Sequence, residues 1–352
     1  MRRYSAAEAI GPAWEQTTEL MWRHRRWQTG LKIALVALLA EMGGASFNFS
    51  MPGRYSHLPG AVHAAMVGLA LLLGFVFLVL GVILFYVGSR MQFVHFSCIA
   101  FRDTTIAPLW RRYGRLTWRW MGFKILLMLA FIVPLIPVVL IFVRGLAQGK
   151  AGAATPFAAI LGLMGIVLLL MVPFILLYTA ARDFVLPSVA LEGTTVRFGL
   201  KRFGLWLRAE PGGILGFLFL RLLLGFVLGI CAYIAMLFAV MISAIPFVVA
   251  GLLVWLPLRH ASTAGHIFAG IFGVLLCVVF LAWMLVLTIA VFGTLLTFYI
   301  AWGTYYLGGR YPLLGDLLEP PVVLDTFTPP PSMPSEDDSS GPDLPLNPQP
   351  AG

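Results

Sequence analysis

Long apolar runs alternate with short basic, aromatic stretches along the chain, and the runs reach or exceed the roughly 20 residues that an α-helix needs to cross a hydrocarbon core. The short alternating strands of an outer-membrane barrel are absent from the pattern. A spanning segment in lipid must satisfy its own backbone hydrogen bonds, which leaves helices. The spans read as 31–49, 61–89, 122–144, 156–181, 213–258 and 265–307. As straight helices at about 1.5 Å per residue, the last two would each exceed ~60 Å, about twice the hydrocarbon thickness. Either they kink and extend beyond or along the bilayer, or each conceals two spans. Pro246, shortly after Ser243, is the expected kink, because proline removes an intrahelical hydrogen bond. No polar turn splits either run, so six spans are expected, with eight as the alternative.

Short cassettes punctuate the runs. Thr-Thr followed by a basic, aromatic segment occurs at Thr17-Thr18, Thr104-Thr105 and Thr194-Thr195, each upstream of an apolar run. Tyr-x-x-x-Arg occurs at Tyr86/Arg90, Tyr178/Arg182 and Tyr306/Arg310, each where the second run of a pair ends. Between the inner copies the spacing is 92 residues from Tyr86 to Tyr178 and 90 from Thr104 to Thr194. In that 90-residue register Arg111-Arg112-Tyr113-Gly114 falls on Lys201-Arg202-Phe203-Gly204. The expected fold is all-α: a polytopic helical membrane protein with about six transmembrane helices in three tandem hairpin repeats and basic amphipathic interfacial helices. Its expected parts are a basic, aromatic leader at 1–30 and a transmembrane domain at 31–318, with repeat units near 17–90, 104–182 and 194–310. A tail at 319–352 completes it, and two spans per unit make the repeats parallel rather than inverted.

Composition agrees with the membrane class: 60% of residues are hydrophobic and only 11% charged. The net charge of +9 is explained by topology and is no nucleic-acid signature. Of the 24 Lys and Arg, 17 fall in segments 1–30, 90–121, 182–212 and 308–352, and four belong to the intervening side: Arg54, Lys150 and Arg259 in the loops and Arg144 at the last position of a span. The positive-inside rule then places both termini in the cytoplasm. Lys32, Lys124 and Arg221 lie within spans, the first two near helix ends from which they could snorkel. The first apolar run starts near Leu31 behind a polar leader and reads as a retained span rather than a cleaved signal. Cys98, Cys231 and Cys277 have no CxxC spacing and read as packing residues. The tail carries ten prolines, six acidic residues and no Lys or Arg, a composition expected to stay disordered.

The cassettes also suggest a surface. In the leader, Glu15, Glu19 and Arg23 form an acid-before-base ladder at i, i+4, i+8. Leu109, Tyr113, Leu116 and Trp120 would line one helix face, with Arg111, Arg112, Arg115 and Arg119 mainly on the other. Leu200, Phe203 and Leu207 would likewise oppose Arg197, Lys201 and Arg208. Such helices lie in the headgroup layer with their cations near phosphates, so these residues together with Arg202 are candidate contacts for anionic lipid. Plain topological anchoring is the simpler reading of the same pattern.

Inside the spans, polar groups are scarce and therefore informative. Glu41 heads the stretch Glu41-Met42-Gly43-Gly44-Ala45-Ser46-Phe47-Asn48, soft in helix propensity. With Asn48 and Arg221 it forms the candidate intramembrane polar site, since a charge there must be paired, neutralised or hydrated. Either the helix breaks there to line a cavity, or the first span ends early and Glu41 sits near the outer interface. Arg221 either snorkels to the headgroups or pairs with a carboxylate. Asp103, Asp183 and Glu192 accompany the cassettes, and Asp183 beside Arg182 most simply balances charge. Pro134, Pro137 and Pro173 can bend two spans, and Gly225-x-x-x-Gly229 permits close packing. His266 reads as interfacial. Gly145 to Lys150 is one residue short of a phosphate loop and is followed by Ala151 rather than Ser or Thr. With no metalloprotease, nucleophile-elbow or paired-aspartate signature, neither an enzyme nor a cofactor nor a metal site is expected.

Ala9-Ile10-Gly11-Pro12-Ala13-Trp14-Glu15, the basic leader to Lys32, Gly43-Gly44, the stretch Tyr86 to Arg102 and Tyr305-Tyr306-Leu307-Gly308-Gly309-Arg310-Tyr311-Pro312 resemble a family of uncharacterised prokaryotic multi-pass membrane proteins. That family is distantly similar to the membrane domain attached to some glycerophosphodiester phosphodiesterases. The resemblance covers roughly residues 9–318 and implies no activity, since the soluble domain with its acidic metal ligands is absent from this sequence. It implies location in a prokaryotic cytoplasmic membrane. The function expected is a non-enzymatic membrane component organising partner proteins, a second copy of itself or anionic lipids. The rival is a transporter of a small solute or lipid with an interior site near Glu41.

Overall fold

The computed structural model describes residues 3–23, 27–42, 60–147, 155–258 and 262–319. They form α1 (Ile10–Thr18), α2 (Trp27–Met42), α3 (Gly60–Ala100), α4 (Ile106–Arg112), α5 (Gly114–Ala147), α6 (Thr155–Ala180), α7 (Leu186–Glu192), α8 (Val196–Ala209), α9 (Pro211–Leu258), α10 (Thr263–Gly308) and α11 (Pro312–Leu318). Two π-turns, Glu19–Arg23 and Ala181–Val185, interrupt the α-geometry, and no strand occurs among the described residues.

Among the described residues five helices are long and apolar enough to cross a membrane: Val67–Ala100, Gly114–Arg144, Leu161–Glu192 (through the second π-turn), Pro211–Leu258 and Thr263–Gly308. The protein is therefore built for a bilayer. The expected sixth span, 31–49, is represented by α2, whose 16 residues rise only ~24 Å, and its remainder lies outside the described residues. The last two apolar runs are each one unbroken helix, of 48 and 46 residues, with Pro246 and Pro257 held inside α9.

The long helices come together with the short ones at one end, where the buried side chains gather. Buried side chains concentrate in 89–100, 180–190, 214–221 and 297–308, with α1, α2, α4, α7, α8 and α11 gathered around them. This base has an aromatic centre in which Phe217 stacks on Tyr306 at a centroid distance of 4.1 Å and meets Trp302 at 5.3 Å. Phe93 stacks on Tyr113 and meets Trp120 edge-on. The leader is tied in by Trp302, whose indole N–H donates to Ala6 O (2.8 Å), and by Gln16, whose Nε2 donates to Ile99 O (2.8 Å). Away from the base, α3, α5, α6, α9 and α10 present Leu, Val, Ile and Phe outward, as lipid-facing helices do.

Three boundaries differ from the sequence reading. Tyr86/Arg90 and Tyr178/Arg182 do not stop their helices, because α3 continues to Ala100 and α6 passes through a π-turn into α7. Backbone hydrogen bonding is indifferent to side-chain polarity, and the base gives the polar residues of 89–100 partners. The second basic segment is no separate interfacial helix either. It breaks at Tyr113, and Gly114 begins a single helix that carries Arg115 and Arg119 directly into the apolar run. In the leader, Glu19 and Arg23 fall in the first π-turn, so the expected α-helical ladder does not continue through them. The third basic segment is the separate helix α8, which Thr195 caps by accepting from Phe198 N (3.4 Å).

Candidate functional site

The second π-turn places Arg182 and Asp183 in the middle of the base. Such turns insert one residue into a helix and recur at functional sites. Arg182 forms an ion pair with Glu41, near the end of α2. Asp183 turns to α9, where its Oδ2 lies 2.8 Å from Nη1 of Arg221. Both Asp183 and Arg221 are buried, with side-chain exposures of 4% and 6%. The N–H of Arg221 is not aligned for a hydrogen bond, so the attraction is chiefly electrostatic. In this low-dielectric setting each charge depends on its partner to offset desolvation.

Three elements thus converge through four charges. Lys124, from α5, adds a fifth: it is 6% exposed, its Nζ reaches Ser89 Oγ at 3.3 Å, and it lies over the rings of Phe85 and Tyr178. Beside it, Gln92 links three helices. Its Nε2 donates to Tyr178 OH (2.8 Å) and Ala40 O (3.1 Å), and its Oε1 accepts from the Trp120 indole (2.8 Å). His95 Nε2 meets Thr297 Oγ1 at 3.2 Å across the α3–α10 contact.

A small cavity opens among Gln92, Phe96, Arg182, Asp183, Gly303 and Thr304. Its space for water centres is about 10 Å³, room for roughly one water molecule. Nε and Nη2 of Arg182, which lines it, have no hydrogen-bond partner among the described residues. Gly303 is essential to this geometry: a Cβ there would stand 2.9 Å from Arg221 Nη1 and 3.2 Å from Asp183 Cγ. Among the described residues no group of three His, Cys, Asp or Glu could hold a metal ion.

Several expectations need correction. Arg221 does not snorkel; it is buried and paired with Asp183. Asp183 does not balance its neighbour Arg182, because consecutive side chains on a helical turn point apart and each finds a partner on another element. Lys124 is enclosed in the base rather than stretched toward headgroups. Glu41 sits beside Arg182 in the base and not at a far interface. Asn48 lies outside the described residues. Sequence reading missed Ser89, Gln92 and His95, whose three-residue spacing just after Tyr86 was the available signal.

The three Tyr-x-x-x-Arg pairs serve different ends. Arg90 donates to Tyr86 OH (2.6 Å) and to Trp110 O (2.8 Å) and lies 4.3 Å over the Trp110 ring, fastening α3 to α4. Arg310 lies 4.0 Å over Tyr306 and donates through Nε to Glu210 Oε2 (3.0 Å), fastening α10 to the end of α8. Arg182 alone reaches a carboxylate in the interior.

At the surface of the base Arg111, Arg112, Arg115, Arg119, Arg197, Lys201 and Arg208 are exposed, and none has an ion-pair partner among the described residues. Arg202 differs. It is paired with Glu192 and stacked 5.2 Å from the Tyr311 ring centre, and Tyr311 OH donates to the same carboxylate (2.6 Å). Burial, and then the Glu192 carboxylate, push the Tyr311 hydroxyl above its usual pKa. Thr195, Arg197, Phe198, Leu200 and Lys201 line an open groove on α8 that mixes two cations with apolar carbon.

No curated protein and no solved structure matches the chain. No relation to glycerophosphodiester phosphodiesterases is shown. A family model matches residues 4–317, all but the first three residues and the last 35, and its description names no activity. The chain belongs to the Family of unknown function (DUF7544).

Proposed function

We propose that this protein is a non-enzymatic component of a prokaryotic cytoplasmic membrane that organises anionic lipids, and through them partner proteins, at its basic face. In this reading both termini and all three basic cassettes lie on the cytoplasmic side, as the distribution of Lys and Arg favours. The observation that carries it is the set of seven exposed cations on α4, α5 and α8 that have no ion-pair partner among the described residues, all mounted on the packed base. Each cation near an anionic surface is worth about 1 kcal/mol, so the set could hold a shell of acidic headgroups. Apolar arms beneath such a base fix its depth in the bilayer.

The test compares wild type with a variant carrying Arg111→Gln, Arg112→Gln, Arg115→Gln and Arg119→Gln, both in nanodiscs of mixed phosphatidylcholine and phosphatidylglycerol. Native mass spectrometry should show retained phosphatidylglycerol in wild type and several-fold less in the variant. Equal retention by a correctly inserted variant would sink the proposal.

A transport reading draws on the charged interior at Glu41, Arg182, Asp183 and Arg221. The cavity there admits about one water, so transport would need the base to open, and the Glu41–Arg182 pair would break first. Solute flux abolished by Glu41→Gln in proteoliposomes would favour it.

A further inference from the structure

The third arm is too long for the bilayer that the second arm fits. On α5, Lys124 is enclosed in the base and Arg144 is exposed at the far end, 20 residues away, a rise of ~30 Å that matches one hydrocarbon core. On α9 the same rise above Arg221 reaches Met241, and Pro246 stands five residues beyond it, ~38 Å from Arg221. On α10 the mark is Trp283, ~33 Å from the buried Tyr305. The two marks stand at the same height, since Phe247 packs on Phe280 with ring centres 5.0 Å apart. A Cβ at Gly251, one turn further on, would lie 3.6 Å from Leu276. Trp283 is 45% exposed, as an aromatic side chain at a membrane–water interface would be.

Beyond these marks α9 continues for ~18 Å and α10 for ~30 Å. Residues 247–258 and 262–282 contain no Asp, Glu, Lys or Arg, and the one charged residue in the sequence between them is Arg259. They expose Val248, Leu252, Trp255, Phe268, Ile271 and Val274, which water would not tolerate in such number. Tilting the whole arm is opposed at the base, where Arg221, Phe217 and Tyr306 anchor it to elements shared with the other arms.

We propose that residues 247–258 and 262–282 form a second, non-spanning membrane element: a helix pair that bends at Pro246 and lies within the leaflet opposite the basic base, its partner being the acyl chains of that same bilayer. In the structure α9 and α10 run unbroken through these marks. In the bilayer Pro246 is the point at which α9 yields, because its missing N–H and the clash with the preceding turn weaken the helix there, and α10 follows through the Phe247–Phe280 contact. An apolar helix pair lying in one leaflet adds area to that leaflet alone, which makes the protein a local wedge. This holds whether or not the basic face retains anionic lipid.

Two exposed native thiols sit at the right places, Cys231 on the spanning part and Cys277 on the distal part, while Cys98 is buried. Nitroxide is attached to Cys277 in the Cys231→Ser variant, and to Cys231 in the Cys277→Ser variant, each in phosphatidylcholine–phosphatidylglycerol bilayers. Power saturation with oxygen and with a nickel chelate then reports depth. The expected result is a deep Cys231 label and a shallower Cys277 label that still favours oxygen several-fold over nickel. Pro246→Ala should stiffen the helix and raise nickel access at Cys277. A Cys277 label as open to nickel as a free surface label would overturn the proposal. So would a Cys277–Cys277 distance below about 25 Å between copies, which would mean that a second chain covers the helix pair. Protection of Cys277 only in clustered vesicles would assign the helix pair to a second bilayer and overturn the proposal equally. A Cys231 label open to nickel would instead count against membrane spanning by α9 itself.

Discussion

Asp183 lies 2.8 Å from Arg221, 38 positions further along the chain, and not against Arg182, the cation beside it in sequence. With both groups buried, removal of one partner leaves an uncompensated charge, which costs about 3–5 kcal/mol. Asp183→Asn and Arg221→Gln should each lower thermal stability strongly, and the double variant should recover most of the loss. A double-mutant cycle on the solubilised protein measures the coupling. Additive losses would mean that the two charges act independently.

Gly303 gives that pair its room. Gly303→Ala should cost about 1–3 kcal/mol, the usual penalty of overpacking, through displacement of Arg221 and Asp183. Gly216→Ala, where a Cβ meets nothing within 4 Å, should be neutral or stabilising by up to about 1 kcal/mol. Gly293→Ala is the severe case, since its Cβ would fall 2.4 Å from that of Ala34 and 2.5 Å from its Cα, forcing α2 off α10. Unfolding midpoints of the three variants give the ranking directly.

Arg197 and Arg202 are five residues apart on α8 but differ in what they offer a lipid. Arg202 is engaged by Glu192 and Tyr311, whereas Arg197 has no ion-pair partner among the described residues and borders the α8 groove. Arg197→Gln should reduce phosphatidylglycerol retention more than Arg202→Gln does, while Arg202→Gln should reduce thermal stability more. Reversal of both orders would show that lipid contact does not follow the free cations.

Asp103 connects pH to the junction between α3 and α4. The Thr105 hydroxyl (2.7 Å) and then the Thr105 backbone N–H (2.9 Å) donate to its carboxylate and hold its pKa below the usual value. A lowered folded-state pKa means that this contribution is present above the unfolded pKa near 3.9 and is lost as pH falls through the folded one. Thr105→Val, which removes the hydroxyl and keeps the backbone N–H, should move Asp103 upward toward the ordinary carboxylate range. Carbon-detected NMR titration of Asp103 in both proteins measures the shift, and identical titration would remove the Thr105 hydroxyl as its cause.

The two basic faces illustrate how much was legible from sequence. Tyr113 and Trp120 are buried, as the periodicity requires, and Arg111, Arg112, Arg115 and Arg119 are exposed. The same periodicity could not show that a break at Tyr113 makes Arg115 and Arg119 part of α5. Local pattern specifies which face is apolar, and packing against α3 specifies where one helix ends and the next begins.

By itself the sequence determined the membrane class, the all-helical architecture and the clustering of cations, because hydrocarbon length, backbone hydrogen bonding and amphipathic periodicity are local properties of the chain. It also marked Glu41 and Arg221 as charges in need of an explanation. Only the tertiary structure decided the partners, Glu41 with Arg182 and Arg221 with Asp183, and enclosed Lys124, Gln92 and His95 in the same base. Those pairings join residues far apart in the chain. In a low-dielectric interior a charge is settled by whichever opposite charge the fold brings within a few ångströms, and sequence neighbours on a helical turn face different ways.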